Sequence, residues 1–73
     1  MRVSEIQVGK TYVNRGAGRT RRHVLGIGDQ YRPKIFYSRK NPPREHGVLF
    51  EQGGKEHTLY ISSFANWAGH EVS

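Results

Sequence analysis

Cysteine is absent from this 73-residue chain. No disulfide can brace it and no thiolate metal site can form, which fits a reducing compartment. No stretch approaches the ~20 apolar residues of a membrane span. The start, Met1-Arg2-Val3-Ser4-Glu5, lacks the apolar run of a signal peptide. A cytoplasmic protein is the expectation. Acidic residues are scarce where cations are dense. Up to Arg44 the chain sets eleven lysines and arginines against Glu5 and Asp29 alone, a balance of +9. From Glu45 onward Lys55 is the single cation against Glu45, Glu51, Glu56 and Glu71, a balance of −3. The formal net charge of +6 averages over that division. Clustered cations attract polyanions over roughly a Debye length, ~8 Å at physiological salt, so the partner is nucleic acid or an acidic protein surface.

What is present is enough for one small domain spanning 1–73. A chain of this length buries only about 60% of the surface its unfolded form exposes, so the core is small. A hydrophobic content of 34% with net +6 leans toward disorder. Eight aromatic residues, and β-branched runs parted by turn residues, argue for a folded β-domain instead.

Along the chain, Val3 to Val8 reads as an extended opening with Ile6 and Val8 on one side. Gly9-Lys10 bends into a β-prone run, Thr11 to Asn14, and Arg15-Gly16-Ala17-Gly18-Arg19 is a glycine-rich hairpin tip. Arg21 to Ile27 alternates His23, Leu25 and Ile27 with Arg22, Val24 and Gly26, until Gly28-Asp29 breaks it. Lys34 to Ser38 gives the clearest strand signal, followed by a stiff Asn41-Pro42-Pro43 loop to about Gly47. Val48 to Glu51 and Lys55 to Ile61 flank Gly53-Gly54, a tight hairpin turn, with Leu59 and Ile61 facing one way. Ser62 or Ser63 can cap a short apolar helix, Phe64 to Ala68, ended by Gly69, and Glu71-Val72 can form a last pairing. About five short strands and one short helix or 3₁₀ turn imply a mainly β fold. The expected form is a small SH3-like antiparallel barrel, since an OB-like barrel needs more chain.

The frame Val8-Gly9-Lys10-Thr11-Tyr12, with Ser63-Phe64-Ala65-Asn66-Trp67-Ala68 near the end, resembles small uncharacterised proteins of phages and prophages. Those share V-G-K-x-Y, a basic hairpin, then S-x-x-F-x-x-W-A. Here the serine is displaced to stand directly before Phe64. The resemblance implies a phage or prophage origin and a compact β fold, and it brings no catalytic residues.

Several chemical motifs fail on spacing. Gly9-Lys10-Thr11 has Ser4 where a phosphate loop needs its first glycine, and Gly16-Ala17-Gly18 and Gly26-Ile27-Gly28 meet Arg21 and Tyr31 in place of a third glycine. His23, His46, His57 and His70 show no metal-ligand spacing. Glu51 and Glu56 flank an exposed turn without the apolar pocket that would tune a carboxylate for catalysis. Neither enzyme activity, a cofactor nor a small-molecule substrate is expected. Tyr12, Phe36, Phe50, Phe64 and Trp67 read as core.

The basic half carries the functional signal. Arg15, Arg19, Arg21 and Arg22 place four guanidinium groups around a glycine-rich tip, a composition suited to bidentate phosphate contacts. Arg32, Lys34, Arg39, Lys40 and Arg44 form a second stretch, with Tyr31 and Tyr37 interleaved as stacking surfaces for unpaired bases. The reading is a non-enzymatic DNA- or RNA-binding domain held mainly through phosphates. The alternative is a module that docks on an acidic host protein.

Overall fold

The computed structural model describes residues 1–16, 19–33 and 45–72. Its order is a 3₁₀ turn at Val3–Glu5, strands β1 (Thr11–Asn14) and β2 (Arg21–Gly28), and a second 3₁₀ turn at Asp29–Tyr31. Strands β3 (Gly47–Gln52) and β4 (Lys55–Tyr60), helix α1 (Ile61–Trp67) and β5 (Ala68–Val72) follow. The strands form one antiparallel sheet in the order β4-β3-β2-β1-β5. Consecutive strands meander, and only β5 returns across the molecule, through α1, to lie beside β1. The fold is therefore mainly β, one five-stranded antiparallel sheet with, among the described residues, a single short α-helix before the last strand. Among the described residues β4 and β5 are the sheet edges, with no pairing between them.

Alternation sets the core. Tyr12, Val24, Val48 and Phe50 project to one face and meet Ile6, Ile61, Phe64, Ala65 and Ala68. Phe64 is the hub: its ring stands edge-on to Tyr12 at 5.7 Å and tilted against Phe50 at 5.3 Å and Trp67 at 5.4 Å. Gly53 and Gly54, at φ +61° and +80°, both take the left-handed conformation that a two-residue hairpin turn demands.

The alternation of β2 slips once. Val24 stands opposite Phe50 and Gly26 opposite Leu49, so Leu25 is a bulge residue with no partner of its own. In consequence Ile27, not in phase with His23, comes round to pack against the core, and Leu25 stays exposed. Gly26 is then covered by the Tyr31 ring, 2.6 Å from where a Cβ would stand.

Further expectations are corrected. Val3–Glu5 is a 3₁₀ turn instead of an extended run, because the Glu5 carboxylate accepts the Arg2 N–H at 2.9 Å and folds the segment. Ile6 is thereby buried and Val8 exposed, so they do not share a side. The helix begins at Ile61, which therefore does not extend the strand with Leu59, and no serine caps it. The His46 carbonyl accepts the Ile61 N–H, and the Glu45 carboxylate accepts both the N–H and the hydroxyl of Ser62. Nor does Gly69 end the helix: Ala68 already has extended dihedrals, and the chain runs straight into β5. Gly69 is small for another reason, since a Cβ there would lie 2.8 Å from the Arg15 Cα. The expected strand Lys34 to Ser38, Phe36 within it, and the Asn41-Pro42-Pro43 loop lie outside the described residues.

Candidate nucleic-acid interface

The β1–β2 hairpin is closed by its own side chain. Asn14 accepts the Thr20 N–H through Oδ1 at 3.1 Å and donates from Nδ2 to the Arg15 carbonyl at 3.3 Å. Gly16, at φ +74°, takes the left-handed backbone conformation that favours glycine. Arg15 and Arg19 at the tip and Arg21 at the head of β2 are exposed. Arg21 stands opposite Val13, and Val13 opposite His70, so the arginine and the histidine flank one buried valine on the outer face. Among the described residues none of these three arginines is ion-paired. Lys10, nearer the other end of β1, is bridged to Glu71 at 3.2 Å.

Arg22 goes the other way. One step along β2 from Arg21, it shares the inner face with Tyr12 and Val24. Its guanidinium carbon lies 4.7 Å from the Phe50 ring centre and 4.2 Å from that of Trp67, and Nε donates to Gln52 at 2.8 Å. Burial pushes its pKa below the ordinary arginine value. The signal was in the sequence: Arg22 has the same parity as Val24, and alternation alone places it with the core.

Arg32 and Tyr31 belong to the opposite end of the sheet. Seven residues of β2 separate them from the tip, about 20 Å of strand. Arg32 braces the turn there: Nε donates to the Glu45 carbonyl at 2.9 Å, and Nη2 lies 3.4 Å from Asp29, which also meets His46 at 2.7 Å. Tyr31 is half-buried over Gly26. The structure thus gathers Arg15, Arg19 and Arg21 and separates them from Arg32 and Tyr31. Lys34, Tyr37, Arg39, Lys40 and Arg44 lie outside the described residues.

The end of the sheet that carries the tip also holds Lys55, which the charge pattern left outside the basic half. The β3–β4 turn lies beside the tip, with Lys55 paired to Gln52 and His57 to Phe50. Glu51 and Glu56 face each other one step out of phase, on the other face. His23 is half-buried and meets Thr11 Oγ1 at 2.8 Å, while His46, His57 and His70 are exposed. Among the described residues no three His, Asp or Glu side chains converge as metal ligands, and no helix is long and apolar enough to cross a membrane. Compared with known proteins, the chain matches no family model, no curated protein and no solved structure.

Proposed function

We propose that this protein binds nucleic acid, non-enzymatically and mainly through phosphates, at the β1–β2 end of its sheet. The observation that carries the reading is the set of three exposed arginines, Arg15, Arg19 and Arg21, around a hairpin whose base is bridged by the Asn14–Thr20 hydrogen bond. Guanidinium forks on a fixed scaffold suit phosphate oxygens, and the +9 half supplies the long-range attraction. In the sequence, Lys34, Arg39, Lys40 and Arg44 add to the count of cations, and Tyr37 falls between Lys34 and Arg39 as an aromatic suited to stacking on a base. A phage or prophage origin rests on the V-G-K-x-Y and F-x-x-W-A frame, and a reducing, cytoplasmic setting suits a chain without cysteine.

Anisotropy titrations on duplex DNA, single strands and RNA at low and moderate salt test this. Each phosphate neutralised on a duplex contributes about −0.9 to the log–log salt slope, so five or six contacts give a slope near −5. Replacing Arg15, Arg19 and Arg21 by alanine is expected to flatten that slope by about 3 units without changing the melting temperature. No binding even at low salt overturns the proposal.

A further inference from the structure

Arg22 is fixed where its neighbours are free. The Phe50 and Trp67 rings hold the guanidinium and Gln52 takes its Nε–H, leaving the Nη donors as what it can still offer. It forms one wall of an open cavity of ≈ 320 Å³, whose other lining residues are Phe50, Gln52, His57, Thr58 and Leu59. That size lies at the lower end of the ~300–1,000 Å³ range of small-molecule sites.

The charge around this cavity is of one sign. Gln52 pairs with Lys55 and Phe50 with His57, so the lysine and the imidazole share the face of the sheet that Arg22 occupies. The acids of these strands, Glu51 and Glu56, fall on the alternate positions and so belong to the opposite face. Leu59 and the edge of Phe50 add an apolar surface. A single carboxylate would use one cation. A phosphomonoester, with about −1.5 to −2 charges at neutral pH and three acceptor oxygens, uses a fixed arginine fork plus flanking Lys and His.

We propose that the cavity beneath Arg22 is a phosphomonoester site, taking the phosphate on Arg22 with His57 and Lys55 at its mouth and an organic body against Leu59 and Phe50. The site stands on the inner face and does not depend on the outer tip binding nucleic acid. Its ligand is either a free phosphomonoester or the 5′-phosphate of a strand.

Trp67 reports directly, because its indole touches Arg22. Phenyl phosphate titrated into the intact protein is expected to change Trp67 emission saturably and to shift the backbone amides of Arg22, Gln52, His57 and Leu59, while phenol at equal concentration does neither. Arg22→Gln is expected to abolish the response, and circular dichroism shows whether that variant is folded. His57→Glu, on an exposed position, keeps the fold and is expected to weaken phenyl phosphate at least about tenfold, the scale of one charge-assisted contact. Comparing a 5′-phosphorylated with a 5′-hydroxyl oligonucleotide then assigns the source: a preference for the former means a strand end, and equality means a free ligand. Phenyl phosphate behaving like phenol, unchanged affinity in folded His57→Glu, or shifts confined to Arg15, Arg19 and Arg21 would each overturn the proposal. The last of these leaves the nucleic-acid reading standing.

Discussion

Tyr12 carries two duties on one side chain. Its ring is fully buried against Phe64, yet its hydroxyl donates to the Glu5 carbonyl and accepts the Gln7 N–H, both at 2.8 Å, and so pins the opening 3₁₀ turn to β1. Burial raises its pKa above the ordinary 10.0, with the Gln7 N–H pulling more weakly the other way. A raised folded-state value means that the native state holds the proton more tightly than the unfolded chain. The associated stability is whole below pH 10 and is lost as pH climbs through the folded value. Tyr12→Phe should cost about 1–2 kcal/mol at neutral pH, because the Gln7 N–H is left without its acceptor, and should flatten the alkaline decline. Urea melts at pH 7 and above pH 10 check both. A variant as stable as its parent, with the same alkaline slope, would leave the hydroxyl without a structural role. The hydrophobic part of Tyr12 was legible from the β-prone run it sits in. Its bonding was not, since the partners come from a turn that carries no apolar periodicity.

Helix α1 shows where local reading stops. Ser62 and Ser63 stand before Phe64 as caps usually do, but the helix starts earlier and its N-terminal N–H groups go to His46 and Glu45, more than a dozen residues upstream. A carboxylate in that position also complements the helix dipole. Glu45→Ala should therefore destabilise by about 1 kcal/mol, and Ser62→Ala by less, since Ser62 keeps its N–H to Glu45. Thermal melts of the two variants rank them, and the reverse order would restore the serine as cap. Elements whose signals are local were legible from the chain: the Gly53-Gly54 hairpin, the Thr11–Asn14 strand, and the pairing of the final segment. What was not legible depends on distant partners, such as Glu45 on α1 or the Arg15 backbone against Gly69. The candidate site divides the same way. Arg15, Arg19 and Arg21 stand out by composition, whereas the cavity needs the β3–β4 register to bring Lys55 and His57 beside Arg22.

At the scale of the molecule, Trp67 joins the core to the cavity beneath Arg22. It packs on Phe64 within the core and covers the guanidinium of Arg22. It is only partly buried, so Trp67→Ala should cost about 2–4 kcal/mol, somewhat under the usual 3–5 for a large aromatic. That is a large share of the ~5 kcal/mol a domain this small commands. Arg19→Ala should leave the melting temperature unchanged. A Trp67→Ala protein that melts like the parent would mean that the ring contributes nothing to the core it touches.

The surplus residue in β2 has a consequence for the whole sheet. Leu25 has no partner opposite, and both neighbours, Val24 and Gly26, keep consecutive partners on β3. Removing it would leave every cross-strand pair and every inward side chain where it is, and would take away only the local bend and extra twist. At position 25, then, length matters and identity does not. A substitution scan would pass over it as neutral, while a single-codon deletion would remove the local bend and extra twist of β2.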